Sequence, residues 1–143
     1  MSTFRTLLLA TDGSENARRA TGAAIELATT LHLPSVLVVH VVGKAPSEAQ
    51  MVRGGLDVHA LLDQEARRAA GPSLALLDKA GIGYTLRASL GDPATVILGL
   101  VEKEAVDLIV LGSRGLGALS GLVMGSVSQK LVHLAPCPVL IVK

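Results

Sequence analysis

Three glycines and a serine late in the chain are the residues best suited to do chemistry. Gly112 and Gly115 are separated by two residues, nine more separate Gly115 from Gly125, and Ser126 follows directly. A tight turn whose amides converge makes a nest for an anion. The free amides and dipole at a helix start make another. The spacing therefore reads as a split phosphate site. Gly112–Gly115 forms one half and Gly125–Ser126 the other, with the Ser126 hydroxyl as an added donor. Glycine at both places lets phosphate oxygens reach the backbone without meeting a β-carbon. A second reading fits the same residues: a strand-to-helix turn followed by a closely packing helix of small residues. Two familiar phosphate motifs are excluded. No Gly-Lys-Ser/Thr occurs, and "GLGALS" has serine where a dinucleotide fingerprint needs its third glycine.

Asp12 is the second candidate. It closes the run "LLLATDGS", beside Gly13, at the end of the first expected strand. Ligands of open α/β sheets bind at such strand ends, although an aspartate there also caps turns. Arg114 is the only charge between Leu111 and Gln129; it suits a phosphate contact or a solvated turn. His32, His40, His59 and His133 lack metal-ligand spacing, and His40 is expected to pack or hydrogen-bond within a strand. Cys137, the only cysteine, excludes an intrachain disulfide and reads as a structural thiol between two prolines. No residue presents itself as a base for hydrolysis.

The elements that must position these groups alternate. "FRTLLLAT" (Phe4–Thr11) is a buried strand. Ser14 caps a helix from about Glu15 to about Leu31, with Ala17, Ala20, Ala24, Leu27, Ala28 and Leu31 on its apolar face. Pro34–Val42 is a valine-rich strand. Gly43–Gly55 has no sustained period and reads as a mobile loop, with Ser47 and Gln50 as a capping box for one short turn. Asp57 caps a helix through Leu77, which Pro72 should kink or split. Gly83–Leu90 is a more polar strand suited to an edge. Asp92 and Pro93 start a strong helix, Asp107–Gly112 is the fourth strand, Val123, Val127, Leu131 and Leu134 space as a helix, and Pro136–Lys143 ends the chain as a strand. Such alternation implies a parallel sheet with helices on both faces.

Composition agrees. The 143 residues fit one domain, half are hydrophobic, and Phe4 and Tyr84 are the only aromatics. The core is therefore aliphatic, as buried parallel sheets require, and stacking platforms for single-stranded nucleic acid are missing. With a net charge of +1, and Arg18–Arg19 and Arg67–Arg68 near acidic residues, these pairs read as solvated helix faces rather than a nucleic-acid patch. No 18-residue charge-free apolar segment occurs, and the opening run, closed by Asp12, is too short to read as a secretory h-region, so a soluble cytoplasmic protein is expected. An apolar last strand, "PVLIV", at a sheet edge calls for pairing with a second copy.

These residues together resemble the universal stress protein family. Gly112-x2-Gly115-x9-Gly125-Ser126 is similar to the motif of its ATP-binding branch. "LLLATDGSENARRA", "VVHVV", "GDPATVILGLVEKEAVDLIVLGSRG" and "GSVSQKLVHLAPCPVLIVK" extend the resemblance over essentially the whole chain. It implies an open five-stranded parallel sheet of order 3-2-1-4-5, Rossmann-like and similar to adenine nucleotide alpha hydrolases, in one domain over residues 1–143. It implies ATP, with Mg²⁺, at the carboxyl edge of strands one and four. Asp12 and Gly13 would meet the nucleoside and the Val41 backbone the adenine. Gly112, Ser113, Arg114, Gly115, Met124, Gly125, Ser126 and Val127 would line ribose and phosphates. It further implies a homodimer through Pro138–Lys143 and a nucleotide-dependent stress-response switch with an unknown protein partner. A slow ATPase or self-phosphorylating protein, and a dimeric scaffold without nucleotide, are the alternatives. Gly71–Pro72 departs from the continuous helix usual in such proteins and is expected not to touch the site.

Overall fold

The computed structural model describes residues 4–53, 55, 57–113 and 125–143. Its elements are β1 (Leu7–Ala10), α1 (Glu15–Thr30), β2 (Ser35–Val42), α2 (Glu48–Arg53), α3 (Val58–Ala80), β3 (Gly83–Leu90), α4 (Pro93–Lys103), β4 (Leu108–Gly112), α5 (Ser126–Leu134) and β5 (Val139–Val142). The strands form one sheet of order β3-β2-β1-β4-β5, and every pairing is parallel. This is the topology expected above. β1 and β5 are shorter than the apolar runs that suggested them.

Each face of the sheet carries its own aliphatic layer. Leu7, Leu9, Val36, Val38, Leu108 and Val110 pack with the alanine stripe of α1 and with Ala70, Leu74 and Leu77 of α3. Leu8, Val39, Ile109 and Leu111 pack with Ile97 and Val101 of α4 and Leu131 of α5. The strands in the middle are buried on both sides, which is why they read as continuous apolar runs. β3, at the edge, alternates exposed and half-buried residues instead. The arginine pairs lie on solvated helix faces: Arg19 lies beside Glu15, Arg67 beside Asp63, and Arg68 beside Glu65. Arg68 holds the Glu65 carboxyl below its ordinary pKa.

Two expectations are corrected. The Gly43–Gly55 segment is not all loop. The Ser47 amide donates to Gln50 Oε1 (2.8 Å) and the Gln50 amide to Ser47 Oγ (3.2 Å). That reciprocal cap starts the six-residue helix α2, which buries none of its residues and so shows no apolar period. Pro72 does not split α3, which runs continuously for 23 residues. Proline removes one intrahelical bond, but Leu62, Ala66 and Ala70 anchor the helix before it, and Ser73, Leu74 and Leu77 anchor it after.

Asp107 ties the entry of β1 to β4. Its Oδ2 accepts from the amides of Arg5 (2.8 Å) and Thr6 (2.9 Å), and its own amide donates to the Thr6 carbonyl (2.9 Å). The Arg5 amide first, then the Thr6 amide, holds its carboxyl below the ordinary aspartate value. A depressed folded pKa stabilises the fold above the unfolded pKa and loses that contribution as pH falls through the folded value. Asp107→Asn should therefore lower the melting temperature at neutral pH. The difference from wild type should shrink as pH falls below about 4, as thermal melts across pH will show.

Candidate functional site

The carboxyl ends of β1, β2 and β4 open into one cavity of about 360 Å³. Its walls are largely apolar, from Ala10, Val39, Val41, Ile97, Leu111 and Val127. Polar groups enter from two sides: Thr11, Asp12 and Ser14 from the β1–α1 turn, and Ser113, Gly125 and Ser128 from the end of β4 and the start of α5.

Local sequence explains each side. The Asp12 carboxylate accepts from the Ser14 amide (2.9 Å), and Ser14 Oγ accepts from the Ala17 amide (3.1 Å), so the turn is stapled and α1 is capped. The capping reading of Asp12 holds, and the same residue faces the cavity. Gly13 has φ +84°, and a β-carbon there would lie 2.4 Å from the Ala69 carbonyl oxygen. α3 thus presses directly on the turn. Gly71 and Pro72 themselves are not among the residues that line the cavity. Opposite, a β-carbon on Gly112 would meet the Asn16 carbonyl carbon and oxygen, each at 2.6 Å. Asn16 Nδ2 also donates to the Ser113 carbonyl. The first glycine of the motif is therefore demanded by the approach of α1. α5 starts at Gly125, which has extended dihedrals, and no side-chain hydrogen bond caps it among the described residues.

The polar interior of the described residues gathers here. Thr11, Thr21, His40, Ser73 and Ser128 are the buried polar side chains, and Thr11, His40 and Ser128 line the cavity. His40 Nδ1 lies 3.0 Å from the Thr11 carbonyl oxygen. A carbonyl only accepts, so Nδ1 carries the proton. Ser73 Oγ lies 2.9 Å from Thr11 Oγ1 and 2.8 Å from Thr21 Oγ1. Cys137 is half-buried against the α4–α5 layer, and burial pushes its thiol above the ordinary value. That environment favours the structural reading over a reactive thiolate.

Of the residues singled out in the sequence, Asp12, Val41, Gly112, Ser113, Gly125 and Val127 meet at this cavity. Gly13 and Ser126 are their immediate chain neighbours. Arg114, Gly115 and Met124 lie outside the described residues, as does Val123 of the expected last helix. Asn16, Thr11, His40 and Ser128 were not read as site residues. For Thr21 and Ser73, a signal existed: each is a hydroxyl on an otherwise apolar helix face. Nothing local marks Asn16, whose role depends on β4.

The sequence profile of the universal stress protein family matches residues 3–143. The chain belongs to the universal stress protein family. A Thermus aquaticus relative, a universal stress protein encoded beside a QAH/OAS sulfhydrylase gene, is 38% identical over 141 residues. The match covers 98% of this chain and 99% of that one. Universal stress protein UspA from Lactobacillus plantarum shares the fold, with a TM-score of 0.76 over the full length of both chains at 22% identity. A universal stress protein crystallised in complex with cAMP is 25% identical, with a TM-score of 0.66, covering 99% of this chain and 98% of that one.

Gly13→Ala and Gly112→Ala should each destabilise this universal stress protein fold by about 2 kcal/mol or more, by overpacking. Denaturant unfolding with no nucleotide added measures this.

Proposed function

We propose that this chain binds ATP in the cavity and acts as a nucleotide-dependent switch in a cytoplasmic stress response. The observation that carries the reading is the pairing of an α5 start that no side chain caps among the described residues with an apolar cavity whose other side carries Asp12. Uncapped amides and the helix dipole favour phosphate, and aliphatic walls favour a base. The cAMP complex of a relative supports the same chemical class of ligand.

In this reading Asp12, with Gly13, meets the nucleoside, and the Val41 backbone meets the adenine. Gly112, Ser113, Arg114 and Gly115 line one side of the ribose and phosphates. Met124, Gly125, Ser126 and Val127 line the other. Among the described residues no group of three His, Cys, Asp or Glu side chains converges, and Asp12 is the one carboxylate lining the cavity. Mg²⁺ fits this set as a companion of the phosphates, keeping its waters, rather than as an ion in a protein cage. The cation would neutralise phosphate charge. The segment carrying α2 follows Val41–Val42 directly and is the surface through which occupancy reaches a protein partner. No helix among the described residues is long and apolar enough to cross a membrane.

A homodimer through Pro138–Lys143 completes the proposal. The Pro138 and Val142 carbonyls accept from the amides of Ile109 in β4 and Ser113 just after it, so strand alternation turns the backbone groups of Val139 and Ile141 outward. Leu140 is exposed. An apolar edge of this kind is normally covered.

Calorimetry with ATP, ADP, AMP and cAMP should show saturable binding with ATP preferred. No heat with any of the four would overturn the reading. Gly125→Val should abolish binding while the melting temperature stays near that of wild type. Ile141→Pro, which removes an outward amide, should convert the dimer to monomer in sedimentation velocity. A wild-type chain that is monomeric at micromolar concentration contradicts the dimer.

A further inference from the structure

A core built almost wholly of aliphatic side chains gathers three of the four buried hydroxyls among the described residues in one spot, and burying polar groups is unfavourable unless each is bonded. Thr11, Ser73 and Thr21 come from β1's carboxyl end, the middle of α3 and the middle of α1. Ser73 and Thr21 are fully buried. Neither reaches the cavity, so neither is explained by ligand contact.

The contacts along this line can be followed from α1 to the β1–α1 turn. Thr21 Oγ1 lies 2.7 Å from the Ala17 carbonyl oxygen, which is an acceptor only. The Thr21 hydroxyl is also directed as donor at Ser73 Oγ, 2.8 Å away. Ser73 Oγ and Thr11 Oγ1 share a hydrogen bond at 2.9 Å, and Thr11 Oγ1 accepts from the Gly13 amide at 3.4 Å. The three hydroxyls form one continuous line. The line runs from the amide after Asp12 to the backbone of α1. His40 holds the other polar group of Thr11, its carbonyl, at 3.0 Å.

We infer that Ser73 is a positioning residue of the nucleotide cavity. Through Thr11 it fixes the turn that carries Asp12, and it does so from a helix that donates no ligand contact. Beside it, Gly13 packs closely on the Ala69 carbonyl, which limits approach but supplies no direction. Removing the Ser73 hydroxyl takes away the Thr11 hydroxyl's partner on α3 and loosens the turn. The inference rests on the ATP reading given above.

The test compares wild type, Ser73→Ala and Leu74→Ala. Leu74 is the buried neighbour of Ser73 on α3, so its truncation loosens the same helix without touching the hydroxyl line. ATP affinity is measured by calorimetry well below each melting temperature, with Gly13 amide exchange read by NMR on the unliganded proteins. Ser73→Ala should weaken ATP about tenfold and speed Gly13 exchange at least about tenfold, the loss of one buried hydrogen bond. Leu74→Ala should lower the melting temperature as much or more yet keep affinity within about twofold. Wild-type binding with Ser73→Ala unchanged, or equal affinity losses in both variants, overturns the positioning role alone. A wild-type chain that binds no nucleotide overturns both this role and the ATP reading.

Discussion

Two backbones meet where α1 begins, with no room between them for a side-chain carbon. The Asn16 carbonyl lies where a β-carbon of residue 112 would stand, so β4 must end in glycine there. That contact brings the start of α1 against the end of β4 and closes one side of the cavity. A matching contact, Gly13 against the Ala69 carbonyl, seats the β1–α1 turn on α3. The site is therefore a by-product of close packing before it is a place for a ligand. Its geometry is fixed by the same helices that bury the aliphatic core, which is how a small scaffold keeps polar groups aligned without a bound partner.

Polarity follows from that enclosure. The sheet is covered on both faces, so buried polar atoms have few places where water or backbone can satisfy them. Of the buried polar side chains among the described residues, Thr11, His40 and Ser128 accordingly lie at the carboxyl ends of β1 and β2 and at the start of α5, and Thr21 and Ser73 join Thr11 from α1 and α3. There, strand ends leave free carbonyls and the helix start leaves free amides. None of these side-chain atoms lacks a partner among the described residues. Concentrated, satisfied polarity beside apolar walls is what an adenine nucleotide asks of a pocket, with a flat base at one end and charge at the other.

Much of this was legible in the residues. Apolar runs without alternation mark β1, β2 and β4 as buried on both sides, and the polar β3 marks an edge. Asp12 at a strand end and the split glycines at the last turn point to the carboxyl edge of the sheet. Other features were not legible, for physical reasons. α2 buries nothing, so it leaves no periodic trace beyond its Ser47–Gln50 cap. Pro72 carries a strong local signal that tertiary anchoring on both sides outweighs. Asn16 is invisible because its function is a contact across 97 residues of chain. Gly112 shows how a motif residue can be read correctly in place and incompletely in cause: its bareness serves α1 as well as any ligand.

The central claim is that a nucleotide occupies the space between the Asp12 turn and the start of α5. Backbone amide chemical-shift mapping during an ATP titration tests it most directly. The account predicts saturable shifts concentrated at Asp12–Ser14, Val41, Gly112–Ser113 and Gly125–Ser128, with β3 and the carboxyl-terminal half of α3 unmoved. Shifts centred elsewhere on the sheet, or none at saturating ATP, would contradict it.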